Sequence, residues 1–297
     1  MPTNNRPKPS RCLVLCGSLL VSALSGCRFS KAPDAAPLPL SQRVTWAGRV
    51  ALTYSDSSIL DEDRKNDTLR MDAVEADKTP WRMHRFSFAA PDSLELLLFE
   101  YREAYWAYAA FQGAAGTAGI ARGMFTEGKT LRFLHGAFLG ELKALEGSEI
   151  ESASLFEKLR FQGEDPILPP KEFAAFPLLG RVPHSERVIS SYFLGRPWSG
   201  PVFTVGYKCH SDTATAFRAF QQDFKVAKQW MQDWSGKSDT LDWGREIHFQ
   251  GQDEFRRPLI FWKFSEAVMG FEGCFDSVLA LEYAEKMEKS AILWPKP

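Results

Sequence analysis

Histidine, cysteine and serine are the side chains that most often carry chemistry, and their spacing here is sparse. The five histidines are His84, His135, His184, His210 and His248. None belongs to an HxH or HExxH pattern, the spacings that put two ligands on one face for a metal. His210 follows Cys209 directly, and neighbouring residues of a strand point to opposite faces, which works against a Cys–His nucleophile. Ser185 follows His184 in what reads as a loop or strand start, and no GxSxG elbow is present. Gly123-Met124-Phe125-Thr126-Glu127-Gly128-Lys129-Thr130 satisfies the phosphate-loop pattern GxxxxGK[ST]. That pattern binds phosphate only between a buried strand and a helix N-terminus. Here a Gly/Ala-rich stretch precedes it and a strand pattern follows, so Lys129 is expected in a hairpin turn. The acidic stretch from Ser55 to Asp67 lacks the ligand order and glycine of a calcium loop. Asp253-Glu254 reads as a turn. Trp230 and Trp234, at i and i+4, can stack on a sugar or peptide, but the commoner role of such residues is to fill a helix–sheet layer. The expectation is no catalytic residue, no metal and no cofactor. A hydrolase remains the alternative if His84, His184 or His248 meets carboxylates in the fold.

The elements that would position these groups follow from periodicity. Val44, Trp46, Val50 and Leu52 predict a strand over Arg43 to Tyr54, and Ser55 to Asp67 a surface loop. Leu69–Val74, Trp81–Phe88 and Leu94–Tyr101 read as strands. Ala104, Ala107, Tyr108 and Phe111 predict a helix over Glu103 to Gln112. Gly113 to Gly123, with four glycines and four alanines, reads as a flexible loop. Thr130–Leu134 and Ala137–Leu142 predict a hairpin around His135-Gly136. Ser152–Phe161 reads as a short amphipathic helix, and Gly163–Pro183, with five prolines, as a boundary. Arg187–Leu194 and Pro201–Lys208 read as strands, and Ser211 or Asp212 as the cap of a helix running to Trp234. Strands at Trp243–Gln250 and Pro258–Phe271 and a helix at Asp276–Lys289 complete the chain. Ala107-Tyr108-Ala109-Ala110-Phe111-Gln112 parallels Ala216-Phe217-Arg218-Ala219-Phe220-Gln221. The expected fold is therefore α+β: two similar halves of order β-β-α-β-β-α, each an antiparallel sheet covered on one face by helices.

The N-terminus reads as an address. Arg6, Lys8 and Arg11 precede an uncharged apolar stretch from Cys12 to Leu24, the charge order of an export signal. Leu24-Ser25-Gly26-Cys27 resembles the lipobox of bacterial lipoproteins. That resemblance implies removal of residues 1–26 and acylation of Cys27, which anchors the chain to a membrane by burying CH₂ groups. Arg28 stands where an Asp would favour inner-membrane retention, so the outer membrane is expected. Residues 27–42, with Pro33, Pro37 and Pro39, form a tether. The remaining divisions are a first half over 43–162, a Pro-rich linker over 163–183 and a second half over 184–297. Of five cysteines, Cys12 and Cys16 leave with the signal and Cys27 takes lipid. Cys209 and Cys274 are a possible disulfide in an oxidising compartment, the alternative being two buried thiols.

The rest of the chain is similar to a family of uncharacterised bacterial secreted proteins. The step from Tyr101 to Phe111 carries the similarity, with Leu131-Arg132-Phe133-Leu134-His135-Gly136-Ala137-Phe138-Leu139 and Arg181-Val182-Pro183-His184-Ser185-Glu186-Arg187. It implies no activity and transfers no catalytic residue. A formal charge of −1 over 297 residues, moving to −4 when the signal's three basic residues leave, argues against a nucleic-acid partner. The aromatic fraction of 13% is high and is expected to fill two sheet–helix layers. The expected role is that of a lipid-anchored envelope protein that binds an envelope protein or a small molecule.

Overall fold

The computed structural model describes residues 38–58, 78–88, 94–144, 158–162, 169–190, 192–198, 200–209, 212–220, 248–253, 256–264, 267–273 and 277–292. In chain order, β1 (Val44–Trp46) and β2 (Arg49–Val50) pair as a hairpin, followed by β3 (Thr53–Ser58), β4 (Arg82–Phe88) and β5 (Leu94–Glu100). Helix α1 (Ala104–Arg122) leads to β6 (Met124–Glu127), β7 (Thr130–His135) and β8 (Phe138–Ala144). Next come β9 (Leu159–Phe161), a 3₁₀ turn (Lys171–Ala175), β10 (Arg187–Ile189), and the small hairpin of β11 (Tyr192–Phe193) and β12 (Arg196–Pro197). The chain continues through β13 (Val202–Cys209), β14 (Asp212–Phe220), β15 (His248–Gln252), β16 (Pro258–Phe264), β17 (Ala267–Gly273) and helix α2 (Ser277–Ile292).

Two six-stranded antiparallel sheets dominate, ordered β3-β4-β5-β8-β7-β6 and β10-β13-β14-β17-β16-β15. Numbered within each sheet, both run 1-2-3-6-5-4. This corrects the expected β-β-α-β-β-α halves with helix-covered sheets: the described residues are mostly antiparallel strand. One face of the first sheet, with Phe86, Leu96, Leu98 and Phe133, packs on Val44, Trp46 and Leu159 of the three-stranded sheet β2-β1-β9. One face of the second, with Val202, Phe217, Phe261 and Val268, packs on Phe193 and Trp198 of the small hairpin. Short strands thus cover the faces assigned to helices. The short helix Leu40–Arg43 leads into β1, and the two long helices lie in a third cluster that joins Trp106, Tyr108 and Phe111 to Val188, Phe203, Ile260 and Trp262.

Several local expectations change. The single strand expected over Pro258–Phe271 is two antiparallel strands, β16 and β17. The helix predicted from residue 212 is instead β14, at least to Phe220, hydrogen-bonded to β13 and β17. A central strand buried on both faces carries an apolar run that periodicity cannot tell from a helix. Its remainder, with Trp230 and Trp234, lies outside the described residues. The match between 107–112 and 216–221 therefore sets a helix against a strand over 216–220, and Gln221 lies outside the described residues. The Gly/Ala stretch, expected as a loop, is the second half of α1. Alanine is the strongest helix former, and Gly123, at φ 67°, is the residue that ends the helix. Leu159–Phe161, expected in a helix, pairs with β1. The single strand expected over 43–54 is broken by a turn at Ala47 and Gly48, both at positive φ, and Ser55–Ser58 extends β3 where a loop was expected.

Candidate functional site

The first large sheet brings together three chemical groups that lie far apart in the chain. Along β4, Arg82, His84, Phe86 and Phe88 share one face; along β5, Leu94, Leu96, Leu98 and Glu100 do. The register sets His84 against Leu98, Arg82 against Glu100, and Asp56 of β3 against His84. The apolar rows run into the core, and their ends place His84 beside Glu100. His84 Nε2 lies 2.9 Å from Glu100 Oε2, and Tyr54 Oη lies 3.0 Å from His84 Nδ1. A carboxylate only accepts, so Nε2 carries the hydrogen, and in the neutral ring Nδ1 accepts from the Tyr54 hydroxyl. Burial, then the charge of Asp56, raises the Tyr54 pKa above its usual 10, which keeps the phenol a donor. The histidine side chain is 3% exposed against 24% for Glu100, and Phe138 closes on its ring at 6.1 Å.

This Glu–His–Tyr chain has the connectivity of a proton relay, but both imidazole nitrogens are engaged within it. Its outward member is the Tyr54 phenol, on edge strand β3. A phenol held protonated is a hydrogen-bond donor or acid, not a nucleophile. Val50, Leu52 and Tyr54, at every second position, are 61%, 73% and 38% exposed. The site is thus a tyrosine fixed from behind by a buried imidazole, beside two solvent-facing aliphatic residues.

The other candidates do not join it. His135 is buried and stacks on Phe161 with ring centroids 3.9 Å apart. His184 is exposed in a turn at φ 58°. His248 lies on β15, with its side chain outside the described atoms, and His210 lies outside the described residues. Ser185 Oγ donates to the Val182 carbonyl at 2.6 Å and accepts the Gly206 N–H at 2.9 Å, so it is a turn clasp. The rest of the Arg181–Arg187 segment is held by β13, with the Val182 N–H on the Gly206 carbonyl at 2.8 Å, and by its own side chains. Arg181 pairs with Glu186 at 2.6 Å, and Arg187 donates to the carbonyls of His184 and Glu186.

The phosphate-loop pattern falls on the end of α1, strand β6, a turn at Gly128-Lys129 and the first residue of β7, which is not a strand–loop–helix. Asp253 is buried and accepts from the Arg257 backbone and guanidinium, each at 2.8 Å. Among the described residues no three His, Cys, Asp or Glu side chains cluster as metal ligands. Cys209 is buried at the end of β13, while Cys27 and Cys274 lie outside the described residues. Sequence reasoning singled out His84 but missed Tyr54 and Glu100. The available signal was polar residues continuing apolar i, i+2 rows.

No protein-family model matches the chain, and no curated protein matches it.

Proposed function

We propose that this chain is a lipid-anchored cell-envelope protein that binds an envelope protein partner and is not an enzyme. The anchor is acyl chains on Cys27, and the outer membrane is its favoured site. The observation that carries the binding role is the exposed group of Val50 at the end of β2, Leu52 in the bend that follows and Tyr54 on edge strand β3, with the tyrosine held in one orientation by His84 and Glu100. A preoriented aromatic beside exposed aliphatic side chains is the composition of a protein-binding hot spot. A partner fits better than a small molecule because Tyr54 stands on the edge strand of the sheet among the described residues and the two aliphatic side chains project into solvent. The alternative, an envelope hydrolase, draws on the same three residues. It would require Tyr54 to act as the acid, and a Tyr54→Phe chain would then lose turnover.

The test places a photo-reactive amino acid at Leu52 of the full-length lipidated chain in cells. A discrete protein adduct from position 52, absent from a probe at exposed Glu127, is the expected result. Equal labelling from both positions, or no adduct from 52, would sink the binding reading. The anchor is tested separately: the wild-type chain incorporates fatty acid and Cys27→Ser does not.

A further inference from the structure

A second exposed apolar feature lies elsewhere. Leu178 and Leu179, between the 3₁₀ turn and the bridge at Arg181, are 81% and 71% exposed. Single exposed leucines need no explanation, but this pair stands on a backbone fastened at four points. Tyr207 Oη donates to the Pro177 carbonyl and Tyr283 Oη to the Leu179 carbonyl, each at 2.7 Å. The Arg181 N–H bonds the Leu178 carbonyl at 3.3 Å, and the Lys208 N–H bonds the Gly180 carbonyl at 2.9 Å. The two tyrosine rings pack on each other at 4.7 Å, and burial raises both phenol pKa values, so both stay donors. Gly180 sits at φ +76°, and a Cβ there would stand 2.4 Å from Tyr283 Oη. The carbonyls face inward and the leucines outward.

We propose that the Leu178–Leu179 tip inserts into the surface of the bilayer to which Cys27 tethers the chain. The proposal rests on the lipid-anchor reading above. A bilayer takes up projecting leucines while leaving neighbouring ammonium groups at the headgroups. Lys171, which opens the 3₁₀ turn leading to the tip, and Lys208, whose backbone bonds it, are both exposed. The nearby acid Glu282 is paired with Lys286. The eleven residues from Arg28 to Leu38 precede the compact unit and span at most about 40 Å when extended. A unit of this size has a radius of gyration of about 18 Å, less than that reach.

The test uses residues 28–297, which contain the whole compact unit and carry no lipid. These are mixed with vesicles of phosphatidylethanolamine and phosphatidylglycerol and floated. Co-flotation is expected, with partitioning reduced about tenfold or more by Leu178→Ser/Leu179→Ser and less by Leu178→Ala alone. All three chains should unfold at the same urea concentration, because the altered side chains are exposed. No co-flotation of the parent, or equal co-flotation of the double variant, overturns the proposal. So does a photo-probe at Leu178 in lipidated cells that labels protein and not lipid. Acylation of Cys27, read from the mass of the N-terminal peptide, reports on the anchor independently: the tip can fail while the anchor stands, and the reverse.

Discussion

At the residue scale, polar groups inside this protein are placed by strand register, which explains why the site was only partly readable. His84 stands out in the sequence as a histidine in an apolar strand. Its partners are 16 and 30 residues away, and only the pairing of β3, β4 and β5 brings them together. The same scale contains an ionisable group held against its preference. Glu172, in the 3₁₀ turn, is buried, and burial raises its pKa above 4.5, with Lys171 and Arg218 opposing but not outweighing it. Burial also lowers Arg218, to about 10, so both charges cost folding energy. The folded chain therefore binds the Glu172 proton more tightly than the unfolded chain does. Its contribution to stability is fully present below the ordinary value and is lost as pH rises through the raised folded value. Urea midpoints of wild type and Glu172→Gln, measured from pH 7 down to pH 4.5, are expected to shift in favour of wild type as pH falls. A gap that stays constant would show that the carboxyl is solvated.

At the element scale, the readable pieces were mostly strands of aliphatic and aromatic residues and a helix with an apolar stripe, although β13 is buried on both faces. The Thr130–Ala144 hairpin, β4, β5, β13 and the closing helix all fall close to where periodicity puts them. The unreadable pieces were buried on both faces or built from small residues. β14 fits a helical template because Ala216, Phe217 and Phe220 fall at helical spacing, while as a strand it carries apolar residues on both faces, Ala214 and Ala216 on one and Phe217 and Ala219 on the other. α1 was cut short because its glycines were read as breakers. They differ in kind. An added Cβ at Gly113 meets nothing within 4 Å, whereas at Gly119 it lies 2.9 Å from Ala115 Cβ and 3.1 Å from Phe125 Cβ. Gly113→Ala should therefore raise stability by about 0.5–1 kcal/mol, the helix-propensity difference. Gly119→Ala should lower it, because β6 packs where the methyl would go. Denaturant midpoints of the two variants should move in opposite directions. Movement in the same direction would mean that α1 and β6 are not in close contact.

At the scale of the whole molecule, the question is what joins two sheets of the same strand order into one unit. Area alone does not answer it, since the cluster around Trp106, Tyr108 and Phe111 also contains the second sheet's Val188, Phe203 and Ile260 without fixing how its edge is finished. The edge strand β10 pairs with β13 on one side only. On the other side α1 supplies a side-chain amide. Gln112 Nε2 donates to the Val188 carbonyl at 2.6 Å, and the Val188 N–H donates to Gln112 Oε1 at 3.1 Å. Tyr108 Oη reaches the Glu186 carbonyl two residues earlier. The amide thus occupies the place of a neighbouring peptide group and blocks an edge that would otherwise invite pairing with another chain. Gln112→Ala removes both bonds and leaves two backbone groups in a half-buried seam, a cost of about 1–3 kcal/mol. Because the helix and the second sheet share one core, wild-type unfolding followed by tryptophan fluorescence and by far-ultraviolet dichroism should coincide. In Gln112→Ala the curves should shift together to lower urea, with self-association rising as β10 is uncovered. Separate transitions in the wild type would show that the sheets are independent domains. An unshifted Gln112→Ala midpoint would show that water replaces the amide at no cost.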